Sequence, residues 1–157
     1  MVDIVDHQTR SRMMSGIKGK NTKPEIWIRK ALHASGFRFR LHRKDLPGSP
    51  DVVLPKYHAV ILINGCFWHG HDCHLFKWPQ TRREFWKDKI NGNIARDQKN
   101  QAELKLLGWR VCILWECELK GTKEDRRLEA IDTVAKWIVD ESSEIHIPHS
   151  RTQVTAI

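Results

Sequence analysis

The segment at 59–63, Ala-Val-Ile-Leu-Ile, restricts the fold most, because all five of its side chains are apolar. Side chains of a strand point alternately to the two faces of a sheet, so this strand needs cover on both faces. We therefore expect it to be a central strand. It is also far too short to cross a bilayer.

Segments on either side of this strand complete an α/β pattern. Thr22, Pro24 and Glu25 form a capping box with proline in the first turn, and Gly36 suits the position after a helix end. Hydrophobic periodicity predicts the other elements. The predicted helices are 22–35, 84–107 and 124–140, and the predicted strands are 37–41, 51–54, 59–63 and 109–115. Their order, α-β-β-β-α-β-α, indicates a mixed central sheet flanked by helices.

A chain of 157 residues fits one domain with a hydrophobic core. We expect a basic N-terminal arm at 1–21, a single folded domain at 22–140, and a polar, loose C-terminal tail at 141–157. The basic residues of the arm are Arg10, Arg12, Lys18 and Lys20.

Basic residues outnumber acidic ones by 27 to 19, which gives a net charge of +8. Such an excess predicts a polyanionic partner, and nucleic acid is the first candidate. Charge alone leaves open a merely basic soluble protein. The N-terminal residues include acids where a signal peptide needs a basic region, so we expect a cytoplasmic monomer with no membrane partner.

The loop at 65–74 carries an unusual mixture of side chains: three imidazoles, two thiols, a phenylalanine and a tryptophan. Thiols beside imidazoles suggest a metal site. Large aromatics next to such a site, in a basic protein, suggest a surface that stacks on bases or wedges between them. Because the predicted loop is about twenty residues long, we expect it to be functional.

The ligand types in and near this loop point to one zinc ion, which takes four such ligands in a tetrahedron. The set is Cys66, His71, Cys73 and Cys117. Their spacing is not that of a standard pair of CxxC motifs, so a scatter of buried free thiols is the alternative. Asp72 or His74 could also replace Cys66. Cys112 lies in the middle of a predicted strand and is interpreted as a plain thiol.

Four further residues are candidates for hydrolytic chemistry, each with a simpler alternative. Asp51 can hold Mg²⁺, which needs few protein ligands, or it is a turn residue after proline. His69 can take a proton from an attacking water, or it is a zinc-shell or surface histidine. The capping role of Glu25 suffices unless the fold brings it to Asp51, and Asp97 could be a solvated helical acid.

Several motifs occur together in the order found in the very-short-patch repair (Vsr) DNA mismatch endonucleases. The chain resembles this family from about Thr9 to Leu119. The motifs are Pro47-Gly48-Ser49-Pro50-Asp51, Gly65-Cys66-Phe67-Trp68-His69, His71-Asp72-Cys73, Thr81-Arg82-Arg83-Glu84-Phe85-Trp86, Lys89 with Asn93, Arg96-Asp97, Gly108-Trp109-Arg110-Val111 and Trp115-Glu116-Cys117.

The resemblance implies a restriction-endonuclease-like fold with a loop stapled by a structural zinc ion. It implies an endonuclease domain at 22–140 that makes a Mg²⁺-dependent nick in one strand of duplex DNA. The nick would lie 5′ to the T of a T:G mismatch, which arises when 5-methylcytosine deaminates. A repair polymerase and a ligase would then replace a short stretch of DNA.

The resemblance also implies roles for individual residues. Asp51 and the main-chain carbonyl of Ile63 would hold one or two Mg²⁺, His69 would be the general base, and Glu25 and Asp97 would support the site. The zinc ligands would be the Cys3His set described above. The DNA contacts would be the wedge of Phe67, Trp68 and Trp86, the intercalating Met14, and Lys89 and Asn93 near the mispair. Independently of the resemblance, the charge of the arm predicts that Arg10, Arg12, Lys18 and Lys20 hold phosphates.

The chain departs from related patterns at 61–64, Ile-Leu-Ile-Asn. The acid-x-Lys motif usual on this strand of the fold is absent, which supports His69 in place of the lysine. Asn64 stands where some family members carry histidine, which argues against a second catalytic imidazole there. A non-catalytic, zinc-stapled DNA-binding module is the rival interpretation, and it leaves Asp51 and His69 without a function. A zinc hydrolase is weaker, because HExxH is absent.

Overall fold

The computed structural model describes residues 21–140 and 144–147, which form a five-stranded sheet with three helices. The helices are α1 (Lys23–Ala34), α2 (Arg83–Leu106) and α3 (Glu124–Asp140). The strands are β1 (Arg40–Leu41), β2 (Val52–Leu54), β3 (Ala59–Asn64), β4 (Arg110–Trp115) and β5 (Glu144–Ile147). They lie in the order β1-β2-β3-β4-β5. The mixed α/β fold and the central position of the apolar strand are therefore confirmed.

The sheet is antiparallel on one side of β3 and parallel on the other. β2 pairs antiparallel with both β1 and β3, whereas β3, β4 and β5 run parallel. A parallel pair needs a long crossover, and α2 supplies it between β3 and β4. Since β3 and β4 are adjacent and parallel, the segments that follow them leave the sheet on the same side, at the carboxyl ends of the strands (called the sheet edge below).

Two hydrophobic clusters cover the two faces of the sheet. The first joins α1 and α3 to one face, with Ile28, Val134 and Ile138 fully buried. The second lies on the opposite face and includes Leu104 of α2 and Trp115 of β4. Alternate residues of β3 and β4 belong to different clusters, as the two-residue period of a strand requires. This double burial explains why β3 has no polar side chain before Asn64.

Most element boundaries agree with the sequence predictions to within one residue, and larger differences occur at the tail and at the first strand. Residues 144–147 form β5, so the prediction of a loose tail is wrong there; the parallel register with β4 recruits a segment whose own pattern is weak. The predicted strand at 37–41 shortens to Arg40–Leu41, because only these residues pair with β2. The long helix begins and ends one residue earlier than predicted.

Several predicted features lie outside the described residues. They are Met14, Arg10, Arg12, Lys18 and Lys20 of the basic arm and most of the tail. Within the described residues, α1 begins as predicted, since the Thr22 hydroxyl accepts a hydrogen bond from the Glu25 amide. No helix in that part of the chain is long and apolar enough to cross a membrane.

Candidate active site and metal centres

A cleft of about 580 Å³ opens beside β2 and β3 and brings together the four candidate catalytic residues. Each comes from a different element: Glu25 from α1, Asp51 from the residue before β2, His69 from the loop after β3, and Asp97 from α2. The cleft is also lined by His42, Lys44, Asn64 and Asn100. The structure thus gives Asp51 and His69 the shared cleft that hydrolytic chemistry requires.

Asp51 is held at the floor of the cleft by the backbone of β3. Its Oδ2 accepts a hydrogen bond of 2.7 Å from the amide of Ile63. Burial raises the pKa of Asp51 to about 6, the Ile63 amide opposes this rise, and the nearby Glu25 carboxylate adds to it. Charge on Asp51 is therefore costly unless a cation neutralises it.

Glu25 is more than a helix cap. Its Oε2 accepts hydrogen bonds from the Asn21 amide at 2.8 Å and from Arg29 Nη2 at 2.9 Å, and the residue is almost fully buried. These contacts fix the carboxylate at the cleft, close to Asp51. Because the fold brings Glu25 close to Asp51, capping α1 does not account for its whole role.

His42 is the site residue that the sequence analysis missed. Its Nε2 lies 3.2 Å from Glu25 Oε2 and 3.8 Å from Asp51 Oδ1, between the two carboxylates. A signal was present, since His42 follows the first strand just where its antiparallel partner begins with Asp51. Glu25, His42 and Asp51 each offer one metal-ligating atom, and these three atoms lie within 4.8 Å of one another.

This donor set fits a divalent cation. Two carboxylates and a neutral imidazole are ligands of hard and borderline ions, and a bound cation would offset both the burial and the nearby Glu25 charge that raise the pKa of Asp51. Ile63 lines the cleft and donates its amide to Asp51. A metal-binding role of its carbonyl stays a prediction. Asn64 also lines the cleft and is buried.

His69 and Asp97 form a close pair across the cleft. His69 Nδ1 lies 2.7 Å from Asp97 Oδ2, and the pair is partly buried. The carboxylate of Asp97 is an acceptor, so Nδ1 carries the proton of the neutral imidazole, and Nε2 is then the basic nitrogen. The helical acid is therefore not a solvated surface charge, and it orients the imidazole as a general base requires.

The four side chains of the Cys3His set lie close together and form a candidate zinc centre. His71 Nδ1 lies 3.5 Å from Cys66 Sγ and 3.6 Å from Cys117 Sγ, and the four donor atoms lie within 4.8 Å of one another. Donors of a tetrahedral zinc ion are about 3.5–3.8 Å apart, given Zn–S and Zn–N bonds of about 2.3 and 2.0–2.1 Å. This convergence of the four ligand atoms favours a metal site over a scatter of thiols, and His74 and Asp72 are both exposed.

The register of the sheet explains why these ligands meet. Asn64 pairs with Trp115, so Cys66 and Cys117 follow at equal distances from the same sheet edge. His71 stacks on Trp115 at 4.2 Å between ring centroids, which aims its Nδ1 at both thiols. Cys112 is buried in the core and lies outside the set, as predicted.

The thiols are electrostatically unequal. Hydrogen bonds from Cys66 and His71 together lower the pKa of Cys117 to about 5, against the opposing effect of burial. The pKa of Cys66 is raised, because its thiol donates to Cys117, is buried, and would be repelled by Cys117 if both were thiolates. Only a cation allows all of these sulfurs to ionise together, so the chemistry of the donor set agrees with its spacing.

Aromatic side chains form a cluster around Phe67 and Trp68, the two residues that precede His69. The ring centroids of Phe67, Trp68 and Trp86 are 5.2, 5.4 and 6.0 Å apart, and all three rings are half-buried. The cluster extends through Phe76, Trp78 and Phe85, and Phe85 is 46% exposed. Their partial exposure leaves ring surface available to bases.

One face of α2 holds the aromatic loop in place. Asn93 Nδ2 donates to the carbonyl of Trp68 at 2.8 Å, while Lys89 is exposed on the same helix. Gly70 has φ +64°, and an added Cβ would lie 2.8 Å from Ile94 Cδ1 and 3.0 Å from Ile90 Cγ2. Glycine is therefore required where the loop crosses α2.

Comparison with known proteins identifies a family and several relatives that this chain resembles in sequence. The sequence profile of the family described as DNA mismatch endonuclease Vsr matches residues 2–75. The DNA mismatch endonuclease Vsr of Escherichia coli K12 is 41% identical over 147 residues, which cover 94% of both chains. The type II nicking enzyme V.XorIIP of Xanthomonas oryzae pv. oryzae is 46% identical over 134 residues, 84% of this chain and 98% of that protein.

A further relative extends the similarity to nicking enzymes of other bacteria. The type II nicking enzyme V.NmeAIP of Neisseria meningitidis is 47% identical over 121 residues, 77% of this chain and 86% of that protein. The match to the Escherichia coli protein, over 94% of this chain, is long enough to include the cleft, the Cys3His set and the aromatic loop. The protein is a nuclease that acts on DNA, which excludes the non-catalytic DNA-binding module, and the chain belongs to the Vsr DNA mismatch endonuclease family.

Proposed function

We propose that this DNA mismatch endonuclease nicks one strand of duplex DNA 5′ to the T of a T:G mismatch, in a Mg²⁺-dependent reaction that starts very short patch repair. The observation that carries the proposal is the cleft that joins Asp51 to the His69–Asp97 pair, with the clustered Phe67 and Trp68 immediately preceding His69 in the chain. The names of the nicking relatives support cleavage of a single strand.

Hydrolysis of a phosphodiester needs an activated water and a neutralised phosphate. His69 would take the proton of the water at Nε2, since Asp97 holds its Nδ1–H. Asp51 and Glu25, with the Ile63 carbonyl, would hold one or two Mg²⁺, which supply charge for the phosphate and the leaving oxygen when bound. Lys44 lines the same cleft and adds positive charge on the DNA side.

Recognition of the mispair would rest on deformability as well as hydrogen bonds. A T:G wobble pair is weakly stacked, so wedging aromatic rings beside it costs about a few kcal/mol, less than at a matched pair. Phe67, Trp68 and Trp86 would form the wedge, with Lys89 and Asn93 near the mispair. Met14 would enter from the other side, and Arg10, Arg12 and Lys18 would hold phosphates.

The biological setting follows from the product. A nick with a 3′ hydroxyl can be extended by a repair polymerase and sealed by a ligase, so we place both downstream. The Cys3His set would hold one structural Zn²⁺. A monomer in the cytoplasm is sufficient, because all proposed catalytic groups come from one chain.

The decisive experiment compares three duplexes with identical flanks that carry T:G, T:A or C:G at one position. Each strand is end-labelled separately, and Mg²⁺ is either present or chelated. We expect one cut, in the T strand of the T:G duplex and only with Mg²⁺. Equal cleavage of the matched duplexes, or cleavage of both strands, would refute the proposed specificity.

His69→Ala is expected to lower the single-turnover nicking rate by about 10²-fold or more, the range for loss of a general base. DNA binding should change little, because the aromatic rings and basic residues remain. His74→Ala is the matched control, since His74 is an exposed histidine of the same loop. A rate within a few fold of the parent protein in His69→Ala would remove His69 from proton transfer.

A further inference from the structure

His42 lines the cleft but has no role in the mechanism proposed above. Its imidazole is half-buried and lies between Glu25 and Asp51, not beside His69. Among the residues that the structure describes, Glu25, His42 and Asp51 are the second convergent set of metal-ligating groups, after the Cys3His set.

The backbone aims this imidazole at Asp51. β1 ends at Leu41, which pairs with Val52, and the next amide, that of His42, donates to the Asp51 carbonyl at 3.3 Å. His42 has φ 45°, a left-handed conformation that residues with side chains rarely adopt. The side chain therefore leaves the strand toward the cleft instead of following the alternation of β1.

The surroundings of Nε2 call for a cation. A single Nε2–H hydrogen could reach Glu25 Oε2 at 3.2 Å but not Asp51 Oδ1 at 3.8 Å, so a proton serves one carboxylate only. Arg29 Nη2 lies 3.2 Å from Nε2 and can only donate, which favours a lone pair on that nitrogen, directed at the guanidinium. A metal ion that took this lone pair would contact both carboxylates and replace the Arg29–His42 contact, while Arg29 would keep its hydrogen bonds to Glu25 and Asn21.

The distances agree with shared coordination. Neighbouring donors of an octahedral ion with bonds of about 2.1 Å are about 3 Å apart. The Glu25–His42 and His42–Asp51 separations of 3.2 and 3.8 Å need only a small adjustment to reach this spacing. Glu25 keeps its contacts with Arg29 and the Asn21 amide in such an arrangement, because an ionised carboxylate has about four acceptor sites.

We propose that Nε2 of His42 is a direct ligand of the divalent cation held by Asp51, with Glu25 as the third side-chain ligand. This deepens the proposed function and rests on its assignment of a cation to Asp51. An imidazole in place of an oxygen ligand shifts the preference of the site toward later first-row ions, so Mn²⁺ should bind more tightly than Mg²⁺.

The test uses Mn²⁺ alone as a spectroscopic probe of the full chain with its zinc site saturated. Electron spin-echo envelope modulation of bound Mn²⁺ detects the ¹⁴N of a directly bound imidazole. We expect this signal in the parent protein, its loss in His42→Gln, and a fall in Mn²⁺ affinity of about 10-fold or more, as removal of even supporting metal-site residues costs. His58→Gln is the matched control, because His58 is also left-handed but lies outside the cleft.

Other outcomes overturn the inference in distinguishable ways. If the ¹⁴N signal persists in His42→Gln and vanishes in His69→Gln, the ligand is His69. If Mn²⁺ binds without any ¹⁴N signal and is lost in Asp51→Asn, the cation of the proposed function stands and His42 is not its ligand. If Mn²⁺ does not bind in the cleft at all, the proposed catalytic cation itself fails.

Discussion

Asp51→Asn is expected to abolish detectable nicking while leaving binding to mismatched DNA within a few fold of the parent protein. Asparagine keeps the volume of the side chain, and its carbonyl oxygen can still accept the hydrogen bond that the Ile63 amide gives to Asp51. It removes the charge that would hold the cation. Since a bound metal contributes several kcal/mol to catalysis and each 1.36 kcal/mol is tenfold, the rate should fall by about 10³-fold or more.

The measurement is a single-turnover assay on the T:G duplex, with binding followed separately in chelator. Asp45→Asn is the matched control: Asp45 lies on the same loop, pairs with Arg43 at the surface and does not line the cleft. We expect Asp45→Asn to nick at the parent rate. An Asp51→Asn protein that retains near-parent nicking in Mg²⁺ would show that the cleft cation is held without this carboxylate.

The central sheet was predictable because its signal is local. An all-apolar run of five residues can only be a doubly covered strand, and Thr22 with Pro24 marks a helix start without reference to the rest of the chain. β5 was not predictable in this way. Its sequence, Glu-Ile-His-Ile, alternates polar and apolar residues, but four residues are a short signal within a polar tail, and the open edge of β4 decides the pairing.

The residues of the candidate site were likewise predictable only where their signal is local. Ligand type alone pointed to the Cys3His set, and the sheet register then brought Cys66 and Cys117 together. The residue types alone left the roles of Glu25 and Asp97 open. Glu25 could simply cap a helix, and Asp97 could simply be a solvated acid on a helix. His42 was missed, because its position after the first strand becomes informative only once the antiparallel pairing of β1 with β2 is known. The left-handed turn that aims it at Asp51 has no signal in the sequence.

Cys117→Ser is expected to lose the bound zinc and with it the folded aromatic loop. Serine is a poor zinc ligand, and Cys117 is the one member of the Cys3His set that does not belong to the loop after β3. Structural zinc contributes about 10–16 kcal/mol of apparent binding energy in small peptides, against a total stability of about 5–15 kcal/mol for a domain. The melting temperature should therefore fall steeply.

Zinc content by metal analysis and thermal unfolding check this expectation. Cys112→Ala is the matched control, since Cys112 is a buried thiol of β4 outside the Cys3His set and its loss removes only a small side chain. The control should keep about one zinc per chain, the complement of one Cys3His set. Full zinc content in Cys117→Ser would contradict the assigned ligand set.

The two variants also separate chemistry from architecture. Asp51→Asn should keep its zinc, its melting temperature and its preference for mismatched DNA, because the wedge of Phe67, Trp68 and Trp86 is untouched. Cys117→Ser should lose all three, because the segment that carries Phe67, Trp68 and His69 is fixed to the sheet edge through His71 and Cys66. A Cys117→Ser protein that loses zinc yet still prefers T:G duplexes would show that α2, through Asn93 and the packing at Gly70, positions the wedge without the metal.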